Sequence, residues 1–141
     1  MPARKAPKKA PAGAGKRPAA LAAPRRERPQ ARFRLRVTCG DEIAIGPGKI
    51  LLLEAIGETG SLTAAARRIE MSYRRAWLLI DQLNRALARP AVASATGGEH
   101  GGGSELTEVG RQLIALYRGI EATAARACAG DIRKVIELLA R

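Results

Sequence analysis

Ser72, Tyr73, Arg74 and Arg75 stand together near the middle of the chain, and Leu78, Gln82 and Arg85 follow at intervals of three or four. On a helix, at about 100° per residue, Arg74, Arg75, Leu78, Gln82 and Arg85 share one side. Three guanidiniums, an amide and one leucine, with Asp81 only at the edge, are ill suited to a protein core. They are suited to base edges in a DNA major groove, where arginine pairs bidentately with guanine O6 and N7. Other chemistry is poorly supplied. His100 is the only histidine. Set among glycines beside Glu99, it has no held partner of the kind that general acid–base work requires, so no catalysis is expected. Cys39, His100 and Cys128 have no metal-ligand spacing, and neither a metal nor another cofactor is expected.

The elements that must position the arginine face follow from periodicity and punctuation. Ser61 is a good N-cap for a helix through Leu62, Ala65, Ala66 and Ile69, and Ser72 caps a second from Tyr73 to about Leu87. The second helix carries an apolar stripe of Tyr73, Ala76, Trp77, Ile80, Leu83 and Leu87, which assigns Trp77 to packing. A turn of three or four residues joins the pair, and the alanines at 64–66 let the two helices cross closely. Upstream, "ARFRLRVT" (31–38) alternates Phe33, Leu35 and Val37 with Arg32, Arg34 and Arg36, the pattern of a half-buried strand. Residues 39–42 form a turn, 43–45 a short return strand, and "KILLLEAIGETG" (49–60) a helix with Ile50, Leu53 and Ile56 at helical spacing.

Downstream, "AVASAT" (91–96) and "SEL" (104–106) frame a glycine-rich loop as a hairpin. Thr107 caps a long helix through Val109, Leu113, Leu116, Tyr117 and Ile120, continued by residues 122–129. Gly130 and Asp131 allow a break before "IRKVIELLA". This is the element order of a winged helix-turn-helix, mainly α with small β and a long C-terminal dimerisation helix. Within it Ser61, Thr63, Arg67, Ser72, Tyr73, Arg74, Arg75, Leu78, Gln82 and Arg85 are candidate DNA contacts. Gly97, Gly98, His100 and Gly101 join them, because glycine lets a loop backbone approach phosphates or lie along the minor groove.

The formal net charge of +12 over 141 residues points to a polyanionic partner. It is unevenly placed. Residues 1–30, low-complexity Ala, Pro, Lys and Arg, hold nine Lys/Arg against one acid, Glu27. Such a segment buries too little apolar surface to offset its ordering entropy, so it is expected to be a disordered basic tail ahead of a domain over residues 31–141. Cys39 and Cys128, distant and outside any CxxC, are expected to be reduced thiols. No apolar run approaches the roughly 20 residues that span a bilayer. The N-terminus lacks the apolar core of a signal peptide, and the expected location is the cytoplasm, at the bacterial nucleoid.

Three stretches also carry a family resemblance: "GSLTAAA" (60–66), "MSYRRAW" (71–77) and "ATGGEHGGGSELTEVG" (95–110). In this order they resemble the DNA-binding domain of the molybdate-responsive transcriptional regulator (ModE) family, over roughly residues 31–125. The first stretch alone also fits LysR-type regulators, which lack the second and the glycine wing. The resemblance implies a homodimer on a palindromic operator in double-stranded DNA. It implies dimer contacts through the long C-terminal helix and the N-terminal strand–helix unit, and it puts residues 72–75 in the recognition helix. Leu78 departs from the polar residue usual at its position, which implies a different operator sequence. The family's regulators also carry a pair of molybdate-binding domains. With no S-A-R-N-Q-like motif here, molybdate binding by this chain is not expected.

Two functions of different kinds fit these features: a sequence-specific, dimeric transcriptional regulator, or an architectural nucleoid-type protein held by its basic tail. The helix face at Arg74, Arg75, Leu78 and Gln82 favours the first, since a tail with no periodicity senses only charge. Each phosphate the tail neutralises adds about 0.9 to the slope of log K against log salt. Deleting residues 1–30 is therefore expected to flatten that slope and weaken binding to specific and random duplexes by similar factors. An unchanged slope with lost sequence preference would contradict the tether role.

Overall fold

The computed structural model describes residues 27–95 and 103–140, so most of the basic tail and the loop tip at 96–102 lie outside it. A short antiparallel hairpin comes first, β1 (Val37–Cys39) and β2 (Glu42–Ile45), followed by α1 (Pro47–Thr59). Next are α2 (Leu62–Arg68) and α3 (Tyr73–Ala86), then a second antiparallel hairpin, β3 (Val92–Ala95) and β4 (Gly103–Leu106). The chain closes with α4 (Glu108–Ala127) and α5 (Ala129–Glu137). The architecture is mainly α with two small sheets, a winged helix-turn-helix with a long C-terminal helix.

The N-terminal strand is much shorter than its alternation predicts. Residues 27–36 form no regular element, because β2 pairs only from Glu42 to Ile45 and the register slips between Val37 and Thr38. Pro47 starts α1 two residues later, which leaves 31–36 without a strand to pair with. Leu35 is held differently: the Tyr117 hydroxyl of α4 donates to its carbonyl at 2.7 Å. Burial raises the pKa of that hydroxyl, so it stays a donor.

The core is built around α1. Ile50, Leu52, Leu53, Ala55 and Ile56 are buried, and α1 touches α2, α3, α4 and β4. Gly60 ends the helix in the left-handed region at φ 72°, where glycine has no Cβ penalty, and its N–H donates to Ile56 O at 2.8 Å. Lys49 is the buried charge of the described core. Its Nζ donates to the carbonyls of Ile43 at 2.5 Å and Ala44 at 3.2 Å, tying α1 to the first hairpin. Burial holds this ammonium below its ordinary range, with the nearby Glu42 carboxylate acting in the opposite direction.

The break before the last helix falls at Cys128, earlier than the glycine suggests, and Gly130 and Asp131 lie inside α5. Asp131 in the first turn complements the helix dipole, which explains why the sequence tolerates a start there. Cys39 and Cys128 are free and exposed.

α4 approaches the second hairpin too closely for a side chain at Gly110. A Cβ there would lie 2.3 Å from the Ala91 carbonyl oxygen, while Thr107 N–H donates to that same oxygen at 2.9 Å. Replacing glycine by alanine inside a helix gains about 1 kcal/mol of propensity. Forcing two backbones apart costs typically 1–3 kcal/mol and sometimes more. Gly110→Ala is expected to lower the urea midpoint despite the propensity gain; an unchanged or raised midpoint would show that the contact gives way freely.

Candidate nucleic-acid interface

The interface begins with two capped helices. Ser61 Oγ accepts from Ala64 N–H at 2.9 Å and Ser72 Oγ from Arg75 N–H at 3.2 Å, so both serines serve as N-caps. Ala65, Ala66 and Ala76 are buried, and their small side chains permit the close crossing of α2 and α3. The turn between the helices bends through Glu70, whose φ of 56° is unusual for a residue with a Cβ. Met71 N–H donates to Ala66 O at 2.9 Å and closes the turn.

α3 buries Ala76, Ile80 and Leu83, with Leu79 and Leu87 packed against the same core. Trp77 is not part of that face. It is 49% exposed and Tyr73 is 56% exposed, so the assignment of Trp77 to packing is wrong. Tyr73 and Trp77 lie at one edge of the predicted stripe, whose other members are Ala76, Ile80, Leu83 and Leu87. The structure buries Ala76, Ile80 and Leu83 and turns that edge outward, because the Ala76 side is small enough to meet α2 closely.

The predicted arginine face is divided. Arg74 is exposed beside Trp77 and Leu78, and among the described residues no carboxylate pairs with Arg67, Arg74 or Arg75. Arg75, Leu78, Gln82 and Arg85 line an open groove of about 1540 Å³ that Arg32, Arg34 and Arg36 of the N-terminal segment also line. Arg85 is partly neutralised by Asp81, one turn back at 3.1 Å. Thr63 and Arg67 are both exposed, one turn apart on α2, whereas Ser61 is half-buried. Gly97, Gly98, His100 and Gly101 lie outside the described residues.

The second hairpin is fastened to α3 by Asn84. Its Oδ1 accepts from Ala91 N–H at 2.9 Å and Val92 N–H at 3.3 Å, and its Nδ2 donates to Val92 O at 3.2 Å. From the other side Ser104 N–H donates to Gly60 O at 3.0 Å, and Thr107 Oγ1 to Pro90 O at 2.6 Å. The register Val92↔Leu106 to Ala95↔Gly103 therefore has a fixed placement against α3. Sequence reasoning missed Asn84, although its signal was present: an amide at position 84 of an otherwise apolar series needs a partner if it is covered.

Two helices across a tight turn, the second with an unpacked cationic outer side, followed by an anchored two-stranded wing, define a winged helix-turn-helix domain of the DNA-binding type. Residues 48–111 match the family described as "Bacterial regulatory helix-turn-helix protein, lysR family". The chain is also similar to two molybdenum-linked proteins. It is 48% identical over 82 residues to the molybdenum-pterin-binding protein MopB of Rhodobacter capsulatus, covering 58% of this chain and 30% of that protein. To the molybdenum transport protein ModE of Azotobacter vinelandii it is 39% identical over 92 residues, covering 64% and 34%. These matches agree with the resemblance carried by the three sequence stretches, and the chain spans about a third of the length of these relatives. Among solved structures, the CbnR DNA-binding domain in complex with DNA aligns at 24% identity and a TM-score of 0.48, covering 62% of this chain and 93% of that one.

Asn84→Ala removes the acceptor for two backbone N–H groups of which Ala91 is fully buried. Leaving such donors unsatisfied costs about 1–3 kcal/mol. Expected are a lower thermal midpoint and faster amide exchange across β3 and β4, with α1 protection nearly unchanged. Uniform loss of protection throughout the domain would show that Asn84 supports the whole fold rather than the placement of the wing.

Proposed function

We propose that the chain is a sequence-specific DNA-binding transcriptional regulator that acts as a homodimer on a palindromic operator. The N-terminal half of α3 enters the major groove, and the loop carrying Gly97, Gly98, His100 and Gly101 meets the backbone or minor groove. The single observation that carries this is the outer side of α3. Arg74 and Arg75 occupy its first turn with no acid in that turn, against the sense of the helix dipole. A polyanion placed there relieves both the like-signed field and the unpaired guanidiniums. Arg67 and Thr63 of α2 and Arg32, Arg34 and Arg36 of the N-terminal segment are assigned to flanking phosphates, which fix register and orientation without specifying sequence.

Homodimer formation is supported by apolar surface that the monomer leaves open. Leu116 is 57% and Ile120 50% exposed on α4, Val135 is exposed on α5, and Leu138 and Leu139 are exposed just after it. Exposed apolar patches of this kind mark association surfaces. Molybdate binding is not assigned to this chain, because the aligned segments cover only 30% and 34% of the molybdenum-linked relatives. Such a regulator works on the chromosome, in the cytoplasm at the nucleoid. Among the described residues no helix is long and apolar enough to cross a membrane.

Selection of tight binders from a random duplex pool tests the proposal. Expected is an inverted repeat with half-sites about 34 Å, or a multiple of that, apart. Arg74→Ala is expected to lose roughly 1–3 kcal/mol on the selected duplex and little on random DNA. Equal losses on both, or a pool that never converges, would favour an architectural, charge-driven protein instead.

A further inference from the structure

The chain's only tryptophan is a side chain that the fold leaves unused. Trp77 is 49% exposed and Tyr73, one turn before it, 56% exposed; Leu78 is 43% exposed in the neighbouring row with Arg74. The core behind α3 is closed without them by Ala76, Ile80 and Leu83. Their exposure therefore does not reflect a core left incomplete. It places a patch of two aromatic rings and a leucine around Arg74, at the end of the helix that begins with Ser72.

What would cover such a patch depends on its charge. A second protein surface covering Arg74 would have to bring its own carboxylate, since no described carboxylate pairs with it and an unpaired buried guanidinium is strongly disfavoured. The exposed apolar side of α4 differs in kind, since Leu116, Gly119, Ile120, Thr123, Ala124 and Ala127 form an uncharged strip. A DNA major groove meets both requirements at α3. It supplies acceptors for the guanidinium, and the C5-methyl of thymine is the apolar group on its base edges. Indole also has an Nε1–H donor and no acceptor, and thymine O4 is an acceptor beside that methyl.

We infer that Trp77, supported by Tyr73, is a specificity-determining residue that packs its ring on a thymine methyl next to the base pair contacted by Arg74. This rests on the proposal that α3 enters the major groove. It adds a residue that neither spacing nor charge assigned to DNA, and it states the base class that residue selects.

The sole indole gives a direct readout. In the free protein its emission should be that of a water-exposed ring quenched by iodide, and a duplex selected from the random pool should shift it to the blue and shield it. Replacing each thymine of that duplex in turn by deoxyuridine removes only the methyl. At one position per half-site the parent protein should lose about fourfold in affinity, the worth of one buried carbon group. Trp77→Ala should be indifferent to that replacement while keeping a thermal midpoint near the parent's, and Trp77→Phe should retain part of the sensitivity. Iodide-resistant emission in the free protein, an unfolded Trp77→Ala, or a Trp77→Ala that keeps the deoxyuridine effect would each overturn the assignment. So would a parent protein indifferent to every replacement. If Arg74→Ala loses the selected site while Trp77→Ala does not, this inference alone falls. A parent protein that selects no sequence removes the functional proposal and this inference with it.

Discussion

α1 contributes five of the twelve buried apolar residues of the described chain, and α2, α3, α4 and β4 all rest on it. A helix in contact on so many sides cannot take large neighbours everywhere, and the sequence meets this with alanines and glycine at the crossings. Ala65, Ala66 and Ala76 let α2 and α3 close on each other, and Gly110 lets α4 lie against the Ala91 carbonyl. Close packing at those points fixes the angle at which α3 leaves the core. Each large side chain fully buried around them, such as Ile50, Leu53 or Leu83, contributes roughly 1.5–3 kcal/mol. A surface arginine pair adds at most about 1 kcal/mol, so the Arg118–Glu54 and Arg68–Glu58 pairs refine this arrangement without creating it.

The outward side of α3 follows from that constraint. Once Ala76, Ile80 and Leu83 face the core, Tyr73, Arg74, Trp77 and Leu78 must face away from it. The wing is then set against the same helix by Asn84 and against α1 by the bond from Ser104 to Gly60. α3 and the wing are thus held by the same support. This suits the proposed role, in which α3 presents a few side chains to base edges in a fixed register.

Much of this was legible in the amino acids because it rests on local chemistry. Ser61, Ser72 and Thr107 mark helix starts through an interaction that spans only three residues, and all three act as N-caps. The second hairpin was legible from the glycine-rich break and its flanks. What failed needed knowledge of a partner. Residues 31–38 have the alternation of a strand, but pairing stops where β2 ends, so Leu35 is held by Tyr117, 82 residues away. Trp77 was placed in the core because helical spacing puts it on one stripe with Tyr73 and Ile80. Which edge of that stripe turns inward depends on how closely α2 approaches. The division of the arginine face between Arg74 and the groove beside Arg75 likewise depends on where the first hairpin lies.

Heteronuclear chemical-shift mapping of the labelled protein, titrated with a duplex it selects from a random pool, probes the orientation of α3 most directly. Expected are the largest backbone and side-chain changes at residues 72–78, including the Trp77 indole N–H, with smaller changes in α2 and at the β3 and β4 ends next to the loop. Resonances of α1 should scarcely move. Changes concentrated on α4 and α5, with residues 72–78 undisturbed, would contradict a recognition role for α3.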